Sequence, residues 1–566
     1  MTARFWTKSY DDGVKDLDPS VWETSFAQAI RRTFEQLPDK LALEFLGVEL
    51  TFGDLDRYSN IFANMLLQHG FQKGDCIGLN LPNIPQYVIA LLGAVKIGCV
   101  ITGVSPLLSE EQILYQLNDA EVKGIVTLDA VFAARLVKIV SKLPNLQLII
   151  TTNVGDFLPK IKQVLGKLLG KIPKGKVAPI EGKIVADFMS ILKKNQYSAE
   201  LPRLSVTADD LLFLLYTGGT TGPPKGAMLT NRNVVADMLI VQSWLNWEHG
   251  KGIALSGFPF FHIAGIFFCI NAIYLGWSQI LIPNPRDTDK ICSGIAKYRP
   301  TVLVNVPSLF QMLLENPKFK TLDHSQIECC ISSAAPFPVE SQKELESIVG
   351  EGKLLEVYGM TETSPLTTMN PTRGIKKLGS IGLPLINTDI KLIDPATNEE
   401  VPLGDAGEIC AKGPQVMKGY WKKPEETQKA IDENGYMHTG DVGVFDDEGY
   451  LKIVDRTKDM IIVGGFKVFS NKLEDTLAQH PAINMVATIG VPNPDRPGSE
   501  FVKAYITLPS DYDYNGDEAA LKKEIHEWAK AKCSPYEVPK FIEIREELPL
   551  TLLGKVDKKI LRKESH

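Results

Sequence analysis

The sequence predicts an α/β fold: a large, layered N-terminal α/β domain with an antiparallel β subdomain, followed by a small mobile α+β C-terminal domain. Three observations carry this. The chain has 566 residues, more than one hydrophobic core usually organises, so at least two domains are expected. Short continuous apolar runs alternate with amphipathic helical patterns through the first half, as buried parallel strands alternate with crossover helices. Beyond about residue 385 the pattern changes to polar, alternating strands broken by Pro, Asn and Gly.

In chain order, "SNIFANMLLQHG" and "NIPQYVIALLGAVKIG" predict helices, and "CIGLN", "GCVITGV", "GIVTL" and "LQLII" predict buried strands. The same alternation returns around "TVLVNVP", "IECCISS" and "KLLEVYG". "DIKLIDPATNEEVPLGDAGEICAKG" predicts the antiparallel subdomain, and the charge cluster "VDRTKDM" a boundary. Helical patterns in "LEDTLAQH" and "ALKKEIHEWAKAK" suit a small terminal domain. The expected division is 1–455, a hinge at 456–459 and a lid domain at 460–566.

A net charge of −7 gives no global case for nucleic acid, and none is expected as a partner. The eight cysteines form no C-x-x-C pair, which argues against a zinc knuckle or a disulfide framework and fits a reducing, cytoplasmic setting. The N-terminus lacks the apolar core of a signal peptide. Phe258 to Trp277 has the length of a membrane span but contains Pro259, His262 and Asn271 and lacks charged flanks, so a buried helix is expected there. Within a basic insertion at 160–200, residues 160–194 carry nine lysines against Glu181 and Asp187, interleaved with Leu, Ile and Val at near-helical spacing. That pattern suits either a solvated helix or a peripheral contact with the inner face of a membrane.

Four stretches bear chemistry. "YTGGTTGPPKG", Tyr216 to Gly226, follows the apolar run "LLFLLY" and concentrates backbone N–H groups, threonine hydroxyls and one ammonium, the equipment for phosphate. It is not a Walker loop, because two prolines separate Gly222 from Lys225 and Gly226 stands where a Ser/Thr would bind magnesium. "EVYGMTETSP" ends a strand with an aromatic ring, a hydroxyl and a carboxylate: Tyr358 to stack on a base, Thr361 to donate to a phosphate, Glu362 to hold Mg²⁺. In "YMHTGDVGVFDDEGYLKIVDRTKD", Asp441 suits both ribose hydroxyls and Arg456 a second ribose contact. Each has a structural alternative: a surface turn, an isolated turn carboxylate, a strand-end ion-pair network. The C-terminal "GKVDKK" holds Lys555, which residue chemistry alone would not single out.

Taken together and in this order, "YTGGTTGPPKG", "YGMTE", "TGD", "DRTKD" and "GKVDKK" closely resemble the adenylate-forming acyl-CoA synthetases, over nearly the whole chain. Gly218, the form "DRTKDMI" and the lysine-rich insertion resemble the long-chain fatty acid branch. The resemblance implies a two-step ligation: a fatty carboxylate attacks the α-phosphate of ATP, pyrophosphate leaves, and the acyl group passes to the thiol of coenzyme A. It implies that Thr217, Gly218, Thr220, Thr221, Gly222 and Lys225 cradle the β- and γ-phosphates. Ala334, Ala335 and Pro336 would lie against adenine, with Tyr358 and Gly359 beside it. Thr361 would reach the α-phosphate, Glu362 the Mg²⁺, and Asp441 and Arg456 the ribose.

The resemblance further makes Lys555 a mobile catalytic lysine and Lys458 the hinge of a lid with two poses. Gly464 and Gly465 would line the path of coenzyme A, near Lys467, which departs from the family's usual Asn. Phe469-Ser470 departs from a usual Tyr-Pro, and Asn231 from a frequent His. His262 resembles a gate beside the acyl carboxylate, with Gly265, Ile266 and Phe267 suiting an alkyl tunnel; a core histidine is the alternative. The first bond needs no general base, since a carboxylate is already ionised near neutral pH. Other readings are an aryl or short-chain acyl-CoA synthetase, an acyl-AMP ligase to a carrier protein, and a non-catalytic acyl- or nucleotide-binding protein. A monomer or homodimer is expected.

Overall fold

The computed structural model describes residues 4–565 except 171, 204, 218–222, 510, 511, 513–515 and 551–555. It divides into two compact units. The first spans Met1–Ile390, Ala411–Met437 and Glu448–Tyr450; the second spans Lys391–Cys410, His438–Asp447 and Leu451–His566.

Two large sheets organise the first unit. One has eight strands, in the spatial order Gly419–Tyr420, Lys225–Thr230, Leu211–Thr217, Val100–Gly103, Cys76–Asn80, Gly124–Leu128, Leu148–Thr152 and Ile184–Asp187. It is parallel from Leu211–Thr217 to Ile184–Asp187 and antiparallel at the other edge. The runs "CIGLN", "GIVTL" and "LIITT" are buried at every position, as parallel strands covered on both faces should be.

The second sheet has nine strands, in the order Leu383–Pro384, Leu366–Met369, Leu354–Gly359, Cys329–Ser332, Val302–Asn305, Ile253–Ser256, Ser278–Leu281, Leu41–Phe45 and Val48–Thr51. Six central strands are parallel, with antiparallel hairpins at both ends. The chain therefore builds two sheets from what reads in sequence as one alternating series.

The two sheets are joined through the helix Pro85–Lys96, all twelve of whose residues are buried. Its N-terminal turn is tied to both sides: Gln86 Nε2 donates to Thr152 Oγ1 and the Asn153 carbonyl, while the Tyr87 hydroxyl donates to the Phe260 carbonyl at 2.6 Å. Gly93 permits close packing on the helix Phe52–Gln68, since a Cβ there would lie 2.7 Å from the Ser59 carbonyl oxygen. The expected buried helix forms at Ile263–Tyr274, and no helix among the described residues is long and apolar enough to cross a membrane.

The second unit holds most of a four-stranded sheet, Asp389–Ile393, Gly407–Lys412, Met437–Phe445 and Leu451–Arg456. It also holds the hairpin Ile461–Val463/Phe466–Val468 and a three-stranded sheet of Met485–Pro492, Glu500–Thr507 and Phe541–Ile544. Helices Ser470–Leu477 and Glu518–Lys532 cover a core built from Leu473, Leu477, Val502, Ile506, Leu521 and Ile525.

Candidate active site

The glycine-rich segment connects antiparallel strands, with Thr217 directly opposite Lys225. It is thus the connection of a β-hairpin, whereas a Walker loop leads from a strand into a helix. Gly218, Thr220, Thr221 and Gly222 lie outside the described residues, but both ends of the loop are anchored. The Tyr216 hydroxyl donates to Asp119 Oδ2 at 2.6 Å, and the Tyr115 hydroxyl donates to the Pro224 carbonyl at 2.9 Å.

Lys225 forms an ion pair with Glu426, and its ammonium lies over the Tyr420 ring, 5.0 Å from the centroid. The Tyr420 hydroxyl donates to Glu362 Oε1 at 2.7 Å, and Thr217 lies close enough to that carboxylate to favour its charged form. Glu362 is buried, and burial raises its carboxyl above the usual range against the opposing pull of Tyr420, Thr217 and Lys225. The hairpin and the "YGMTE" turn therefore meet on one carboxylate. A hard divalent cation fits this donor set: Mg²⁺ characteristically takes one or two carboxylates and completes its shell with water and substrate phosphate.

The turn carrying Thr361 and Glu362 is held rigidly. Gly359 ends the strand Leu354–Gly359, where a Cβ would sit 1.8 Å from the Pro365 carbonyl oxygen. The Met360 amide donates to that same oxygen at 2.9 Å, and Thr363 Oγ1 donates to it at 2.6 Å. From the helix Asn231–Leu245, buried Asp237 accepts the Leu366 amide at 3.0 Å, and burial raises its carboxyl strongly. Tyr358, opposite Thr368, is buried near this strand end.

The neighbouring parallel strand Cys329–Ser332 ends beside Leu354–Gly359, with Ser332 in register with Glu356. Ala334, Ala335 and Pro336 follow it, with Ala334 in the left-handed region at φ 70°. Adenine-type and phosphate-type candidates thus leave the carboxyl ends of adjacent strands, the edge where open α/β sheets bind ligands.

A third strand of this sheet, Ile253–Ser256, leads into the loop carrying His262. His262 is the N-cap of the helix Ile263–Tyr274: its Nδ1 accepts the Ala264 amide at 3.3 Å, which leaves the proton of neutral imidazole on Nε2. Its side chain is open to solvent, yet enough protein surrounds it to lower the imidazolium pKa from its ordinary value. Gly265 is required by packing, because a Cβ there would meet the Pro259 carbonyl oxygen at 2.1 Å. Ile266 and Phe267 are buried behind it.

In the second unit, Asp441 lies opposite Arg456 on paired strands, and Arg456 Nε binds Asp441 Oδ1 at 2.9 Å. Glu408 shapes the turn before Asp441: its Oε1 accepts the Gly440 amide at 3.0 Å and its Oε2 lies 3.2 Å from His438 Nδ1. Lys458 sits in the turn between strands Leu451–Arg456 and Ile461–Val463, and burial lowers its ammonium pKa. Gly464 and Gly465 form a two-residue hairpin turn with φ of 59° and 89°, which suits glycine. Lys467 pairs with Asp394 at 2.7 Å. Lys555 lies outside the described residues; Leu550 and Val556 on either side pair with one another.

Sequence reasoning missed Tyr420, Glu426 and Glu408, which reach their partners only through the fold. It also left Asn231 without a role. That side chain accepts the Phe26 amide and donates to the Asp210 carbonyl, both at 2.9 Å, which makes it a structural clamp. Ser470, in the divergent Phe469-Ser470 pair, presents its amide and hydroxyl to buried Asp455.

Comparison with known proteins defines the class. The AMP-binding enzyme family matches residues 30–421, and the AMP-binding enzyme C-terminal domain matches residues 472–555; the chain belongs to the AMP-binding enzyme family. Among its relatives, a long-chain-fatty-acid–CoA ligase of Escherichia coli O6:H1 is 36% identical over 567 residues, covering 99% of this chain and 98% of the relative. One from Bacillus subtilis strain 168 is 38% identical over 541 residues, covering 94% and 92%. Among solved structures, ATP-bound MatB from Rhodopseudomonas palustris superposes with a TM-score of 0.79 at 28% identity, covering 95% of this chain and 98% of that one.

Proposed function

We propose that the protein is an AMP-forming fatty acid–CoA ligase, which joins a medium- or long-chain fatty acid to coenzyme A through an acyl-adenylate. The observation that carries this reading is the convergence of Thr217, Lys225 and Tyr420 on buried Glu362, with an apolar helix headed by His262 following another strand of the same sheet. The near-full-length relatives named long-chain-fatty-acid–CoA ligases support the substrate class.

The difficulty of the first step is electrostatic, because a carboxylate must approach a polyphosphate. In this reading the hairpin's backbone and threonines hold the β- and γ-phosphates, and Lys225 exchanges its pairing with Glu426 for phosphate oxygen. Glu362 would hold Mg²⁺, which would supply Lewis-acid neutralisation of phosphate charge. Thr361 donates to the α-phosphate, and Tyr358 with Ala334–Pro336 bounds adenine. Asp441 and Arg456 serve the ribose, and Lys555 bridges the reacting carboxylate and the α-phosphate. His262 directs Nε2–H toward the acyl carboxylate, and its lowered pKa keeps it neutral so that it donates while Nδ1 stays in the helix cap. The second step belongs to Gly464, Gly465 and Lys467, with Lys458 as hinge. Fatty acids partition into bilayers, so a peripheral position at the inner face of a membrane is part of the same proposal.

The test is coenzyme A-dependent AMP release across a ladder of carboxylic acids, run beside ATP–pyrophosphate exchange. Maximal turnover with fatty acids of eight or more carbons is expected. Preference for benzoate-like or two- to four-carbon acids would replace the substrate assignment. Exchange without coenzyme A turnover would point to a carrier-protein ligase, and absence of exchange with every acid to a binding protein.

A further inference from the structure

We propose that the helix Lys160–Leu168 and the turn after it form a docking surface for an anionic lipid bilayer. The helix is turned inside out relative to a helix of a water-soluble surface. Its apolar residues recur at Ile161, Val164, Leu165, Leu168 and Leu169, the i, i+3, i+4, i+7, i+8 spacing that normally faces a core. Here all five face solvent, at 75%, 57%, 52%, 78% and 67% exposure. The opposite, polar and small face is the one packed on the protein. Gln163 Nε2 donates to the Leu158 carbonyl at 2.8 Å, and a Cβ on Gly166 would lie 2.4 Å from Ile172 Cδ1. Lys162 Nζ reaches the Leu46 carbonyl at 3.1 Å and moors the helix to the turn between strands Leu41–Phe45 and Val48–Thr51.

Charge selects the occupant. Between Asp156 and Glu181 the chain has six lysines and no acid, although its total charge is −7. Lys160, at the start of the helix, and Lys174 and Lys176, shortly after it in sequence, are exposed. An apolar stripe flanked in sequence by exposed lysines is complementary to a leaflet with anionic headgroups, the stripe entering the acyl boundary while the ammonium groups stay among phosphates. A second copy of the chain suits it poorly, because a two-fold contact through the same patch brings lysine against lysine. Lys183 lies outside this set: it donates to the Leu143 and Leu146 carbonyls and serves the fold.

The experiment is co-sedimentation of the full chain with sucrose-loaded vesicles, without substrates, so that its result is independent of the ligase assay. Partition onto 3:1 phosphatidylcholine–phosphatidylglycerol vesicles is expected, with at least a fivefold loss on pure phosphatidylcholine or in 0.5 M salt. The pair L165S/L168S should lower partition at least tenfold, and K160E/K174E at least threefold. Hydrogen exchange of the unaltered protein should slow in residues 160–170 when anionic vesicles are added, a readout that does not depend on any variant folding. Any of four results would overturn the proposal: wild-type protein remaining in the supernatant, L165S/L168S partitioning like wild type, vesicle protection confined to other segments, or L165S/L168S dissociating a dimer without changing partition.

Discussion

Glu362 and Glu356 sit six residues apart on the same strand and turn, and burial raises both carboxyls, but with different consequences. Glu362 is offset by Tyr420, Thr217 and Lys225, groups that favour the charged form a metal needs. Glu356 has only the Gly379 amide, at 3.0 Å, and Gln342 to set against burial, and its pKa is pushed up to about 7. A carboxyl whose pKa rises on folding stabilises the native state fully below its unfolded value, and that contribution is lost as pH rises through the folded value. The unfolded value is 4.5, so the window is about pH 4.5 to 7 and the loss is roughly 3 kcal/mol at 1.36 kcal/mol per unit. Wild-type melting temperature should therefore fall between pH 5 and pH 8. Glu356→Gln, which keeps the acceptor for Gly379 and cannot ionise, should remove most of that slope in calorimetry. Parallel curves for the two proteins would assign the slope to other groups.

At the scale of elements, the loop Phe258–His262 and the helix Ile263–Tyr274 act as one piece because Gly265 lets the helix touch the Pro259 carbonyl. Gly265→Ala should place a methyl where only 2.1 Å is available, destabilising the protein by about 1–3 kcal/mol and displacing the His262 cap. Its signature is a higher KM for the fatty acid with an unchanged KM for ATP, together with a lower melting temperature. Ile270→Val, further along the same helix and fully buried, should show a loss of about 0.5–1.5 kcal/mol without the KM change. Equal KM values for Gly265→Ala and wild type would separate this contact from acid binding. The helix itself was legible, since "IAGIFFCINAIY" is apolar throughout, and so were the central strands, whose uninterrupted apolar runs reflect burial on both faces. Strand order was not: Leu41–Phe45 pairs with Ser278–Leu281, more than 230 residues away, and no local pattern encodes that choice. The strand Lys225–Thr230 was hidden for a related reason. "KGAMLT" follows two prolines and has little of the β-branched character that marks strands, so nothing local marked the phosphate segment as the connection of a hairpin.

For the whole molecule, the motifs were readable because each compresses unusual residue types into a few positions, but the network linking them was not. Tyr420 and Glu426 lie some 200 residues beyond Lys225, in "GYWKKPEE", where nothing in composition separates them from any surface turn. The same gap affects Lys555, which only resemblance singles out, and kinetics can supply the missing evidence. Lys555 and the Gly464–Lys467 turn both belong to the second unit, and the proposed mechanism gives them different half-reactions. A cation needed only while carboxylate and α-phosphate carry charge against one another is dispensable once the acyl-adenylate exists, because thioester formation begins from the mixed anhydride. Lys555→Ala should accordingly lower fatty acid-dependent ATP–pyrophosphate exchange by at least a hundredfold, about 2.7 kcal/mol or more. Thioester formation from supplied acyl-adenylate and coenzyme A should stay within about threefold of wild type, or about 0.7 kcal/mol. Gly464→Val, which loads a β-branched side chain onto a positive φ, should show the opposite imbalance, sparing exchange and slowing transfer. Equal losses in both partial reactions for Lys555→Ala would mean that the lysine supports the lid's folding and not the first bond, and the division of labour proposed for the second unit would fail with it.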